Sequence, residues 1–266
     1  MTSLLQRVIV VGLGEVGRRL AAALVAAGSE TVLVTRESGW GVIDPHDCDP
    51  ILLCVREESL FDVLERLSGC DPARLVLVQN GWVRPLLRGR EAASRGLIWF
   101  NSKGEFFCEL RPSLFGGPWA GHLAATLRAG GLAVESLDNE AFRVAEAEKM
   151  GFNGVVGLPL AVHGVSLGEY LDRHAEEARA LFDESTAIPA RALGVEPSTA
   201  WWGDFLRAVE PISWVRTSAA KALQFRNGAV LRLARELGVD VPVTARLLAA
   251  AGARGEGSGE RGVNDS

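Results

Sequence analysis

No two of the four cysteines in this 266-residue chain stand in a Cys-x-x-Cys spacing, so they frame neither a metal site nor a disulfide scaffold. Cys48, Cys54, Cys70 and Cys108 read instead as reduced thiols, Cys54 within an apolar run, and the expected compartment is the cytoplasm. A basic block is also missing. Lys and Arg number 28 against 33 Asp and Glu, for a formal net charge of −5, and the arginines are spread along the chain. That leaves no electrostatic footprint for nucleic acid. No apolar stretch is long enough to span a bilayer, no leader pattern precedes the first strand, and no internal repeat is visible, so no membrane partner is expected.

What is present has a globular balance, 48% hydrophobic and 23% charged, with length for two domains or one large α/β domain. The most informative segment is Arg7-Val-Ile-Val-Val, followed by Gly12-Leu13-Gly14-Glu15-Val16-Gly17 and an Ala/Leu-rich run. Strand, glycine turn and helix follow without a gap, which is the context a dinucleotide-binding Gly-x-Gly-x-x-Gly requires. Gly12 allows the tight turn, Gly14 lets the backbone approach a pyrophosphate, and Gly17 permits close helix–strand packing.

Strand-like runs at Val8–Val11, Thr31–Val34, Ile51–Val55 and Leu75–Gln79 alternate with helical or turn segments, as in a parallel sheet. Leu97–Asn101 and Phe106–Leu110 flank Ser102-Lys-Gly104, and Leu114–Gly117 is expected beside them as a short antiparallel edge. Gly121–Ala129 reads as a helix and Leu132–Ser136 as a last strand. From Ala141 onward the patterns are helical, divided by glycines at 164, 194 and 238. The expectation is α/β: a Rossmann-like doubly wound sheet over 1–140, an all-helical domain over 141–251, and a disordered tail over 252–266. Ala141–Ala161 fits a connecting helix that Pro159 kinks or ends.

An acidic residue at the end of the second strand would select NAD, and an arginine suits the 2′-phosphate of NADP(H). Here Thr35-Arg36 ends that strand, with Ser38 nearby, and Glu37 is the one residue able to relax the preference. An arginine that merely ends a strand in solvent is the plainer reading.

Two polar clusters carry further chemistry. Lys149 and Asn153 stand four apart, on one helical face, in an otherwise apolar run, and Gly157 is placed on the same face. Beside a nicotinamide, such a lysine gives a proton to a carbonyl oxygen and the asparagine orients it. By spacing alone an exposed lysine is the commoner case. Gln79-Asn80-Gly81 falls at the carboxyl end of a strand, where open sheets bind ligands, although Asn-Gly is also a plain turn pair.

These features, in this order from about Val8 to Leu248, resemble the ketopantoate reductase family. The match rests on the glycine turn, the arginine after the second strand, the strand-Gln-Asn-Gly element, Lys-x-x-x-Asn, and Asn227-Gly228-Ala-Val-Leu-Arg-Leu-Ala-Arg-Glu-Leu-Gly238-Val-Asp-Val-Pro242-Val-Thr. The resemblance implies NADPH-dependent reduction of a 2-oxo acid, as small-molecule carbonyl substrate, to a 2-hydroxy acid. It places the general acid at Lys149, a substrate-binding asparagine at Asn153, and Asn80 on the nicotinamide and substrate side. Arg56 stands where the family usually has a lysine near the cofactor.

The chain departs from that pattern at Gly157, where a second asparagine is usual, and at Ala222 and Glu210, where a glutamate and a serine are expected. The loop from Glu37 to Pro50 is also shorter than usual. A pocket lacking those partners discriminates against ketopantoate. Glu210 and Lys221 are candidate specificity residues, although a charged helix residue more often faces solvent. Trp201, Trp202 and Trp214 fit core packing or a homodimer contact as well as a pocket wall. An imine acceptor giving an opine-type product, with Glu210 on the amine, and an NADP(H)-binding protein with little turnover are the alternative functions.

Overall fold

The computed structural model describes residues 3–217 and 222–259. The chain divides into two compact units between Ala145 and Glu146. In chain order the first unit carries β1 (Arg7–Val11), α1 (Glu15–Ala26), β2 (Glu30–Val34), β3 (Ile51–Leu53), α2 (Leu60–Arg66), β4 (Leu75–Leu77), β5 (Ser94–Leu97), β6 (Phe100–Lys103), β7 (Phe106–Glu109), β8 (Ser113–Gly116), α3 (Ala120–Ala129) and β9 (Val134–Ser136). Helix α4 (Asn139–Val155) runs across the division.

One seven-stranded sheet has the order β2-β1-β3-β4-β5-β8-β9. Its first five strands are mutually parallel, β8 is antiparallel to β5, and β9 is parallel to β8. Alternation along the strands covers both faces. Val8, Val10, Leu52 and Val76 pack with Leu20 and Leu24 of α1 and with Leu123 and Leu127 of α3. The intervening Ile9, Ile51, Leu53, Leu75 and Leu77 are equally buried, as a parallel sheet requires. The chain steps from β1 outward to β2 and back to β3 on the other side, so the glycine turn after β1 stands at a topological switch point.

The expected edge is arranged differently. Residues 100–109 form a separate two-stranded hairpin, β6 with β7, while the strand expected beside it pairs instead with β5, Leu97 opposite Leu114. Strand β5 starts at Ser94, in a Ser-Arg-Gly stretch without the apolar run by which a strand is recognised.

The second unit contains α5 (Leu158–His163), α6 (Leu167–Arg173), α7 (Ala175–Leu193), α8 (Trp201–Val209), α9 (Asn227–Leu237) and α10 (Pro242–Gly259). Helix α4 stops at Val155, four residues before Pro159, whose ring excludes the Val155 carbonyl and offers it no N–H. Helices α5, α7 and α9 end on left-handed Gly164, Gly194 and Gly238, the usual glycine C-cap. A capping box of Ser166 and Glu169 starts α6, and the Glu184 carboxylate accepts from Val243 N and Thr244 N at the start of α10. That last helix runs to Gly259, into the segment expected as a tail from Gly252; residues 260–266 lie outside the described residues.

Close helix contact in this unit is set by glycine. A Cβ on Gly151 would lie 2.4 Å from Thr186 Cγ2, and one on Gly154 would lie 2.3 Å from Ser185 Oγ, so the second half of α4 lies directly against α7. An aromatic group of Phe152, Phe182, Trp202 and Phe205 packs with ring centroids 5.2–6.1 Å apart. Trp201 is buried in the core and Trp214 is exposed.

Candidate active site

In the first unit the site is made of backbone. Gly12 has φ +92°, and Gly17 leaves no room for a side chain because a Cβ there would meet Gly12 O at 2.0 Å. A Cβ on Gly14, by contrast, would meet nothing within 4 Å. Gly14 is also the N-cap of α1 and has no side-chain cap, so the first N–H groups of the helix face open space with the positive end of the helix dipole behind them. That is what a pyrophosphate needs. Leu13 O holds Arg18 Nε at 2.9 Å. The Glu15 carboxylate accepts from Ser102 Oγ (3.1 Å) and Gly104 N (3.4 Å), and Arg19 donates to Ser102 Oγ, so both residues seat the β6–β7 hairpin beside the turn.

After β2, Thr35 and Ser38 bond one another locally: Thr35 N donates to Ser38 Oγ (2.9 Å) and Ser38 Oγ donates to Leu33 O. The Ser38 hydroxyl is thereby occupied. Arg36 is exposed and has no hydrogen bond or ion pair among the described residues; Arg56, after β3, is likewise exposed and unpaired. Gln79 Nε2 donates to Leu53 O (2.8 Å) and Val55 O (3.0 Å), tying the ends of β3 and β4 together. Its Oε1 is buried without a partner. Asn80 is half-buried beside it. Burial pushes the Cys54 thiol far above its usual range, which makes this cysteine beneath the turn an inert packing group.

In the second unit the site is made of side chains. Lys149 is 4% exposed and Asn153 3%, against the commoner expectation of an exposed lysine. Lys149 Nζ stands 4.1 Å from the centroid of the Phe152 ring, a cation–π contact. Asn153 makes no side-chain hydrogen bond among the described residues, and its Nδ2 is fully buried. Gly157 does not continue their face. It lies beyond the end of α4 with φ +154° and ψ −88° and caps α5. An L-residue is strained there, so this backbone favours glycine.

Motif reading did not single out Arg226. A Cβ at Gly157 would find Arg226 Nη1 at 3.9 Å. The next residue, Asn227, is buried and donates from Nδ2 to Gly154 O (3.1 Å), satisfying an orphan carbonyl at the end of α4. The only available signal was its place before Asn-Gly. Glu210 is exposed after α8 and has no side-chain partner among the described residues. Lys221 lies outside the described residues. Ala222 adopts φ +50°. No single described helix is long and apolar enough to cross a membrane.

No family model matches the sequence, and no curated protein does. Solved structures do match. A PanE/ApbA-family ketopantoate reductase from Ralstonia eutropha is similar over 92% of this chain and 97% of its own, with 20% identity and a TM-score of 0.73. A D-mandelate dehydrogenase in ternary complex with NADH and anilino(oxo)acetate is similar over 94% and 99%, with 14% identity and a TM-score of 0.74. A dimeric ketopantoate reductase from Staphylococcus aureus is similar over 93% and 99%, with 15% identity and a TM-score of 0.72. The chain has the ketopantoate reductase fold.

Proposed function

From that fold as premise, we propose that the protein reduces a 2-oxo acid to the 2-hydroxy acid with NADP(H). The observation that carries this reading is Asn153, a buried amide with no hydrogen bond, four residues from the buried ammonium of Lys149. An unsatisfied buried polar group is unfavourable by about 1–3 kcal/mol, and a substrate oxygen relieves it.

Gly12, Gly14 and Gly17 receive the pyrophosphate, and Arg36, free and exposed with no acid at Thr35, takes the 2′-phosphate. Arg56 and Asn80 complete the cofactor side. When bound, the reduced nicotinamide supplies a hydride to the carbonyl carbon. Lys149 Nζ gives its proton to the carbonyl oxygen as charge develops there, so the product leaves as a hydroxyl. Asn153 and Asn80 orient that oxygen. Arg226, anchored by Asn227 at the end of α4, offers its planar fork to the substrate carboxylate. The dimer described for the Staphylococcus aureus structure extends the proposal to a homodimer.

Oxidation of NADPH across a panel of 2-oxo acids, with matched neutral ketones, tests this reading. Saturable turnover is expected on at least one acid, with a preference for NADPH over NADH of about tenfold or more that shrinks in Arg36→Ala. Arg226→Ala is expected to raise KM for the acid about tenfold while kcat changes little. NADPH binding without turnover on any acid would overturn the proposal in favour of a cofactor-binding protein, and turnover only with an amine present would make the acceptor an imine.

A further inference from the structure

The first unit holds a cavity of about 990 Å³ lined by none of the residues assigned above to cofactor or substrate. It opens where β5 meets β8, beside the register pair Arg95 and Gly116. In the sheet order β5 is three strands from β1, or about 14 Å at the usual strand spacing, so the cavity is distinct from the glycine turn.

Four guanidinium groups line it: Arg84, Arg88, Arg95 and Arg143. Two carboxylates also line it, and both are tied to backbone. Glu91 Oε1 accepts from Gly89 N at 2.9 Å, and Asp138 Oδ1 accepts from Glu140 N (3.0 Å) and Ala141 N (2.8 Å) as the cap of α4. Neither is paired with an arginine of the cavity. Arg84 lies 6.0 Å from the Trp82 ring centroid and Arg95 is buried, while Arg88 and Arg143 are exposed and make no hydrogen bond or ion pair among the described residues. In a chain whose net charge is −5, two unpaired guanidinium groups on one concavity, with both of its carboxylates tied to backbone, are a local reversal of sign. Phe142, Leu87 and Leu137 add apolar surface to the same wall.

We infer that this cavity is a second ligand site, for a small organic polyanion that presents carboxylate or phosphate oxygens to Arg88 and Arg143 and its carbon body to Phe142 and Leu87. Guanidinium forks match both oxyanions bidentately, and the volume is that of a small-molecule pocket. The ligand's charge offsets that of Arg88 and Arg143.

Calorimetric titration of the full chain with citrate and, separately, pyrophosphate, at ionic strength held constant with sodium chloride, tests the site. The expected result is saturable binding of at least one probe, weakened about tenfold or more by the double substitution Arg88→Ala/Arg143→Ala and unchanged by Arg36→Ala. Binding of citrate alone assigns a polycarboxylate, and of pyrophosphate alone a phosphate ester. Because both substituted residues are exposed, the thermal midpoint of the double variant should match the parent. Absence of saturable binding by either probe, or binding that the double substitution leaves unchanged, would overturn the inference, as would binding that only Arg36→Ala removes.

Discussion

In the first unit the candidate groups are exposed by leaving side chains out, and in the described residues of the second they are buried side chains. Around the glycine turn the useful groups are N–H donors, made accessible because Gly14 carries nothing and packed closely because Gly17 has no Cβ. On α4 the useful groups are an ammonium and an amide, and Glu146, Glu148, Lys149 and Asn153 are each 7% exposed or less. A backbone site tolerates drift in the rest of the sequence, since it needs only a turn and a helix start. A buried polar site depends on the packing that keeps water out, so it changes whenever the neighbouring helices do.

The strongest way to sharpen the comparison is to fill the two kinds of space at the turn. Gly17→Ala drives a Cβ into the Gly12 carbonyl, backbone with no rotamer to yield, and should destabilise the protein by about 2–3 kcal/mol in urea unfolding. Gly14→Ala enters open space and should leave the unfolding midpoint unchanged while weakening NADPH binding. Equal stability losses in the two variants would show that the turn is not a close-packed backbone element.

A second test sits wholly in the helical unit. His163 Nε2 and Tyr170 OH donate to Glu177 Oε1 (2.8 and 3.0 Å), and Arg246 pairs with Oε2 (2.8 Å). Burial alone would raise the Glu177 carboxyl, but the hydrogen bonds from His163, Arg246 and Tyr170 together outweigh it and hold it below the usual carboxylate range. A depressed folded pKa stabilises the protein above the unfolded value of about 4.3, and that contribution is lost as the pH falls through the folded pKa. Glu177→Gln should therefore lower stability by about 2 kcal/mol at neutral pH, with the gap to the parent closing below about pH 4. A gap that widens on acidification would contradict the assignment.

The glycine turn, the parallel strands and the glycine helix stops were legible because each depends on a few adjacent residues. Strand β5 was not, since Ser94-Arg95-Gly96 has no apolar run and becomes a strand by pairing with β4 and β8. The face shared by Lys149 and Asn153 was legible from their spacing, but their burial was not, because it comes from tertiary packing around α4. The nearness of Arg226 to Gly157 was invisible for the same reason: a contact between positions 157 and 226 leaves no local pattern. A smaller effect checks whether Asn153 is kept for a ligand. Asn153→Leu removes an unpaired buried amide, so the thermal midpoint should hold or rise slightly while KM increases; a large drop in midpoint would show a structural role instead.

The proposed chemistry turns on Lys149, and single-turnover oxidation of bound NADPH by an accepted 2-oxo acid tests it most directly. With cofactor and substrate saturating, Lys149→Ala should slow turnover by about 10²-fold or more and leave the NADPH dissociation constant nearly unchanged. A rate equal to the parent's would contradict the assignment of this lysine as the proton donor.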